Sequence, residues 1–505
     1  MESEAELLPS AEVVVGWAGW RPWAQKNAAL PVLVVNVASA WLFFPVFQEM
    51  IYRKSCLLHY ASNISICQDH EAVRADPAVQ ITELIYRKSC LLHNQGNLLL
   101  CQRASFTRQD ERIQITANQV LMLTSVSLTL PSIFTSLLVG AICDRFSRKA
   151  AMLIPFAFEC ASDFSHLTMA SYIHSSPYLL LIGEAVYGLG GGYMSLYGML
   201  FAHAAVTSTS PAERRRKMGI MSGAMGIGST VGFFASGPLL KLLDFQGVFS
   251  VTLATKALCF FYILFFVDEV RTEESRRDGE KRSLLADVKE KIAEATKVPF
   301  RQRPGHAKAV IAYALTAFAV SYLAFDGSGD IMFYYLKNQI AGWSPTLYGY
   351  LLGCITAIGT VTTLFVYPWL SYKGLSDEWL ALIGFVSRFA GRFILIFVDS
   401  VWSAFLVVPC DIFSKWGAAA TKSILSAQVE DGEQGRIFGT IALLQGLVDT
   451  AASLVFNSLY SVTLEFFPPA PFIILSAIML IPMLCIWRIR RLSNHQPNSD
   501  AQSVN

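Results

Sequence analysis

The sequence predicts an all-α membrane protein with twelve transmembrane helices arranged in two six-helix halves. Three observations predict it. The chain of 505 residues is 53% hydrophobic and only 15% charged, with a mean hydropathy of +0.43, whereas soluble domains carry about 25% charged residues. One core cannot hide that much apolar surface from water, so a bilayer is the expected solvent. The apolar runs have about the 20 residues that a helix needs to cross the hydrocarbon. They are too long for barrel strands, and only helices and closed barrels satisfy their own backbone groups there. Finally, the runs fall into two sets of six with a polar stretch between them.

The elements follow in order. Residues 1–26 form a cytoplasmic N-terminus. Glu2, Glu4 and Glu6 stand where a signal peptide would be basic, so no cleaved signal is expected. Trp17, Trp20 and Trp23 suit the headgroup zone before the first span. The N-terminal half, 27–267, has spans at Asn27–Met50, Thr116–Ala141, Ala150–Ile173, Pro177–His203, Met218–Leu243 and Gly247–Val267. Residues 268–308 form a polar, partly amphipathic cytoplasmic linker. The C-terminal half, 309–487, has spans at Ala309–Leu336, Thr346–Leu370, Glu378–Val398, Val401–Ser426, Arg436–Tyr460 and Ala470–Ile486. Residues 488–505 form a tail. Basic residues gather in the even-numbered loops and the tail (Arg145, Arg148, Lys149, Arg214 to Lys217, Lys373, Arg488, Arg490, Arg491), and the third and ninth loops have none. The even loops and both termini are therefore expected in the cytoplasm. The first loop carries Arg53, Lys54, Arg87 and Lys88 against this rule, which long translocated loops largely escape.

That first loop, 51–115, is duplicated. "IYRKSCLLH" occurs at Ile51–His59 and again at Ile85–His93, and the offset of 34 persists: Cys56 and Cys67 match Cys90 and Cys101, and Arg74, Asp76, Gln80, Ile81 and Thr82 match Arg108, Asp110, Gln114, Ile115 and Thr116. Two copies do not make a solenoid; a duplicated coding segment is expected. On an oxidising outer face the pairs Cys56–Cys67 and Cys90–Cys101 are predicted, with crossed pairings equally allowed by spacing. Asn63 begins the one sequon, Asn63-Ile64-Ser65. The remaining cysteines read as buried small hydrophobes. No Cys or Cys/His set has metal-ligand spacing, so neither metal nor cofactor is expected, and a net charge of +2 gives no reason to expect nucleic acid.

Between the second and third spans stands "GAICDRFSRK", Gly140 to Lys149. It resembles the loop signature of the major facilitator superfamily, with Ser147 in place of the second glycine. The resemblance implies that Gly140, Asp144, Arg145, Arg148 and Lys149 form a gating corner, and that two halves rock about a midplane site. In the second half, "FDGSGDIMFYYLKNQIAGWSPTLYGYLLG", "SILSAQVEDGEQGRIFGTIA" and "VFNSLYSVTLEFFPPAPFIIL" resemble solute carrier family 46 of the proton-coupled folate transporter type. The Cys-x10-Cys loop is similar to its invertebrate members. This resemblance implies proton-driven transport of an organic anion or similar metabolite at the plasma or endolysosomal membrane. The chain departs from the folate carrier at its ionisable positions: Ser222 stands for a span-five Glu, Phe325 for a span-seven His, Glu184 and Gly192 for a span-four Arg and Asp, and Lys422 for a span-ten Arg.

Ionisable groups at bilayer depth cost about 3 kcal/mol or more and are normally paired or functional. Four pairs stand one helical turn apart: Glu159/Asp163, Asp326/Asp330, Arg388/Arg392 and Asp411/Lys415. Glu184 and Lys256 stand alone. The resemblance implies that spans one, four, seven and ten line the path, which selects Glu184, Asp326, Asp330, Asp411, Lys415 and Lys422 as proton or substrate candidates. Glu184, just before "GLGGG", reads either as a proton carrier or as the structural partner of a cation. Asp326 and Asp330 bracket "GSG" and read as part of an outer gate with an interrupted helix, or as a frayed helix end. Asp411 and Lys415 read as a salt bridge within one helix, or as substrate contacts. Arg388/Arg392 and Glu159/Asp163 are expected in peripheral interhelical pairs. In span five, Gly228 and Gly232 allow close helix contact, and Gly237-Pro238 is expected to kink the helix. The function expected is secondary transport of a small solute with protons by alternating access. The alternative is a transport-inactive receptor or scaffold of the same fold. No enzyme is expected, since no nucleophile stands in a recognisable setting.

Overall fold

Why the expected spans become helices, and where they break, follows from their glycines, prolines and caps. The computed structural model describes residues 28–59, 67, 98–208, 210–267, 269, 293, 301, 306–429 and 434–494, and every regular element among them is helical. In the first half these are α1 (Ala29–His59), α2 (Leu98–Arg145), α3 (Arg148–Ser171), α4 (Leu180–Leu189), α5 (Gly192–Val206) and α6 (Pro211–Phe266). In the second they are α7 (Ala307–Gln339), α8 (Pro345–Val361), α9 (Tyr367–Tyr372), α10 (Asp377–Leu395), α11 (Val401–Phe405), α12 (Val407–Cys410), α13 (Ser414–Ala427), α14 (Gln434–Thr463), α15 (Ala470–Ile478) and α16 (Leu480–Asn494). Eight helices or helix runs among the described residues are long and apolar enough to cross a membrane.

The chain passes back and forth between two ends of the bundle. Cys56 and Cys67 form a disulfide at one end, as expected for the first loop copy; the other end holds Glu269, where the linker begins. Asn63 and Cys90 lie outside the described residues, as do the side chain of Cys101 and the rest of the second copy up to residue 97. Lys54, the fourth residue of the first copy and on α1's last turns, is buried and donates to the carbonyls of Tyr172, Ile173 and Ser175, closing the C-terminal end of α3.

The breaks depart from expectation in the fourth span and at "GSG", and agree with it at Asp244, between the expected fifth and sixth spans. The fourth span is split: Gly191 (φ 94°) and Gly192 (φ 56°) adopt left-handed backbone that β-carbons resist, so α4 stops and α5 restarts. Asp244 (φ 56°, ψ −176°) alone reverses α6, bringing Phe245 under Arg53 at the disulfide end and Glu269 to the linker end. Gly237-Pro238 does not interrupt α6; Gly237 instead gives room to the Thr346 backbone of the other half. The "GSG" between Asp326 and Asp330 does not interrupt its helix either, since α7 runs unbroken through it. A π-helical turn, Thr362–Val366, joins α8 to α9.

Within the first half α6 lies along α1. A β-carbon at Gly228 would meet Val34 O at 2.7 Å, and one at Gly232 would meet Ala38 O at 2.3 Å, so the two backbones touch where the Gly-x3-Gly spacing anticipates.

Candidate functional site

Several ionisable groups of the first half meet in two neighbouring buried clusters. Lys256, on the second limb of α6, reaches Glu159 Oε1 at 3.2 Å and Asp163 Oδ1 at 2.9 Å on α3. Asn36 of α1 donates to Glu159 Oε2 at 2.9 Å. The pairing expected for Glu159/Asp163 is thus present, and Lys256 is not alone. Neither is Glu184: its Oε1 lies 3.4 Å from His166 Nε2, and the His166 ring packs against Phe43 and Phe47. Glu184 therefore faces α3 and α1 within its own half rather than the seam between halves.

The second half is organised differently. Asp411 ends α12 and Lys415 begins α13, so the two do not share a helix, and the expected salt bridge between them is absent. Asp411 instead accepts from Arg392 Nη1 at 3.2 Å. Lys415 Nζ donates to Thr360 Oγ1 at 3.0 Å. Lys422 lies over the Phe318 ring. Arg388 donates to the carbonyls of Ser321 and Ser414. Among the described residues no carboxylate lies within ion-pair distance of Arg388, Lys415 or Lys422. These three cations rest on hydroxyls, carbonyls and an aromatic ring rather than on a carboxylate in direct contact.

Asp326 and Asp330 are half-buried on α7, not at a frayed end. Asp330 Oδ2 accepts from Asn457 Nδ2 at 3.0 Å. Asp326 lies against the carboxyl group of Asp449 on α14. Asp449 accepts from Tyr193 of α5, in the other half, at 2.6 Å. Sequence reasoning missed Asp449; its spacing pairs it with no other charge on its own helix, and only the fold brings it to Asp326.

Hydrogen bonds and ion pairs between the halves, among the described residues, all fall at the disulfide end or the middle. Lys337 Nζ meets Glu49 Oε2 at 2.7 Å, with both groups buried. Tyr334 donates to Gln48 O and Gln48 to Asp330 O. Asn118 donates to Asn457 O at 2.6 Å and Ser461 Oγ at 2.9 Å, and Tyr460 to Gln114 at 3.2 Å. Thr129 meets Thr450 at 2.9 Å. The polar contacts between the halves thus gather from the middle of the bundle to the disulfide end.

At the linker end the signature Gly140 to Lys149 forms the corner between α2 and α3; the side chains of Asp144 and Arg145 lie outside the described residues. Ser147 caps α3 by accepting from Ala150 N. Glu269 accepts from both Ser147 Oγ and Arg148 N, so a linker carboxylate covers the N-terminus of α3.

Comparison with known proteins agrees with this architecture. The family model described as Major Facilitator Superfamily matches residues 30–373. The lysosomal proton-coupled steroid conjugate and bile acid symporter SLC46A3 of Gallus gallus is 25% identical over 354 residues, covering 70% of this chain and 75% of that protein. The proton-coupled folate transporter of Rattus norvegicus is 25% identical over 368 residues, covering 72% and 77%. The crystal structure of the human organic anion transporter MFSD10 superposes with a TM-score of 0.59 at 16% identity, covering 92% of this chain and 99% of that one. The peptide-transporter-family protein PepTSo superposes at 0.54 and 11% identity, covering 93% and 98%. These relatives are transporters rather than enzymes, and the structural likeness is one of fold. The chain is a multi-pass integral membrane protein that belongs to the major facilitator superfamily, with its sequence relatives in solute carrier family 46.

Proposed function

We propose that the protein is a proton-coupled secondary transporter of a small organic anion, working by alternating access between two six-helix halves. In this reading α6 counts as two spans about Asp244. Three further passes, on α3, α10 and α11–α13, complete a count of twelve; the charges of α3 and α10 and the breaks of α11–α13 keep them outside the eight most apolar runs. The disulfide end faces outward and both termini face the cytoplasm, so the bundle as described is closed to the outside. The observation that carries the reading is that Arg388, Lys415 and Lys422 have no carboxylate at ion-pair distance among the described residues, whereas Lys256 of the first half has two. A buried cation without a protein counter-ion is a place for a ligand's negative group. The relatives supply the direction: one is named for steroid conjugates and bile acids, another for folate, and both for proton coupling.

The test is uptake by vesicles containing the full chain, at acidic and neutral outer pH, of a steroid sulfate, a bile acid and folate. A saturable, acid-stimulated flux that falls at least tenfold in Lys422→Gln and Lys415→Gln supports the reading. Binding without flux shows the transport-inactive receptor instead. Equal flux in wild type and both variants refutes the anion site.

A further inference from the structure

We propose that Asp449 is the carboxylate through which closure of the disulfide end is coupled to proton release, with Tyr193 as the group that displaces the proton. The inference rests on the transport reading and adds to it the residue that links the two halves chemically. Tyr193 stands on α5 in the first half, and Asp449 on α14 in the second. The Tyr193 hydroxyl donates to Asp449 Oδ2 at 2.6 Å, the shortest hydrogen bond from side chain to side chain between the halves among the described residues. A hydroxyl donating to a carboxylate oxygen in this way stabilises the anion, so the contact works against a proton on that carboxyl group. When the disulfide end opens, α5 and α14 separate, and the oxygen loses its donor.

The surroundings suit an exchange of one for the other. No lysine or arginine lies within ion-pair distance of Asp449 among the described residues, so its charge is held by hydrogen bonds alone. The charged and titratable groups around it are Tyr193 of α5, Tyr322, Asp326 and Asp330 of α7, and, through Asp326, Arg388 of α10. Asp326 lies beside Asp449, and Tyr322, which accepts from Gln445 Nε2, lies near both Asp326 and Tyr193. From α2, Thr129 meets Thr450 beside it, with no titratable group. Two carboxyl groups in contact share a proton between them rather than standing as two anions. A second proton at Asp449 then makes the pair neutral. Asp449 and Asp326 are both only half-buried, so water can deliver and remove it.

The step balances. With the disulfide end open, a proton from external water forms an O–H bond at Asp449. On closure the Tyr193 hydroxyl takes over as donor to that oxygen, the O–H bond at Asp449 breaks, and the proton leaves to water on the linker side. Tyr193 keeps its own proton throughout.

The test needs no substrate. Asn118→Cys and Ser461→Cys, whose parent side chains meet at 2.9 Å across the halves, are oxidised to lock the disulfide end shut. The infrared carbonyl band of protonated carboxyl groups is then compared in the locked and reduced forms of the full chain at acidic pH. The expected result is a band weaker by one carboxyl in the locked form. That difference is absent in Asp449→Asn and in Tyr193→Phe, which keeps the ring and its packing, and is restored in Asp449→Glu. A lock that leaves the band unchanged overturns the proposal, and so does a difference that survives in both Asp449→Asn and Tyr193→Phe. Absence of flux in vesicles would defeat the transport reading alone, because the infrared result does not depend on a transported solute.

Discussion

Removing either partner of the Glu49–Lys337 pair should open the disulfide end, and by an amount the geometry sets. The pair spans the two halves at 2.7 Å with both side chains almost wholly buried. A hydrogen bond between charged groups contributes about 1.5–3 kcal/mol, so losing about 2 kcal/mol shifts the open-to-closed ratio about 30-fold. The two single variants are not equivalent. In Lys337→Gln the Glu49 carboxylate keeps Arg53 Nε at 3.1 Å. In Glu49→Gln, Lys337 keeps only the faces of Tyr52 and Phe333, so this variant should open further. The assay is the rate at which an impermeant maleimide labels a cysteine at Ser453, buried in the closed arrangement, with the six free cysteines among the described residues, and Cys90 and Cys101, replaced. Because both variants remove one shared contact, Glu49→Gln/Lys337→Gln should label no faster than Glu49→Gln alone. Labelling in the double variant equal to the product of the two single effects, or no acceleration in either, would refute the latch.

Other consequences follow from the packing. Lys256→Met leaves Glu159 and Asp163 buried without their cation, at a cost of about 3–5 kcal/mol; the melting temperature of the purified protein should fall sharply and recover when Glu159→Gln and Asp163→Asn are added. Gly232→Leu should abolish folded protein on gel filtration, since its β-carbon would sit 2.3 Å from Ala38 O on backbone that cannot yield. Deleting residues 74–107, which removes one repeat length, should leave thermal stability and uptake unchanged. Tyr52, Lys54 and Cys56 of the first copy already hold Lys337, α3 and Cys67.

Helices were readable from the sequence wherever hydropathy alone decides them. α1, α7 and α14 lie close to the expected spans because their apolar runs are long and end in polar residues. What was not readable depends on which side chains meet across helices. Spacing of four residues on one helix suggests a pair, yet Asp411 bonds Arg392 rather than Lys415, because a break at 411–413 turns Lys415 towards Thr360. "GSG" looks like an interruption, but its backbone hydrogen bonds are made within α7, so the glycines cost only entropy there. Asp449 carried no local signal at all. The reverse also holds: Gly191 was visible as part of a glycine run, but only its left-handed φ shows that the run ends one helix and starts another.

The two halves treat charge in opposite ways, and this argues for how labour is divided between them. In the first half a single lysine answers two carboxylates, an asparagine answers one of them again, and a histidine answers the third. Such a network resists change, because moving any helix in it strands a buried charge. In the second half Arg392 and Lys337 are paired, but Arg388, Lys415 and Lys422 rest on hydroxyls, carbonyls and an aromatic face, which release them at little cost. A ligand anion can therefore replace those contacts without breaking an ion pair. In the proposed cycle the first half is then the rigid body, and the contacts its Tyr193 and Glu49 make with the second half are the ones that opening must break. If that division holds, variants in the Lys256 network lower stability without altering ligand preference, whereas variants at Lys415 and Lys422 alter ligand preference with little loss of stability.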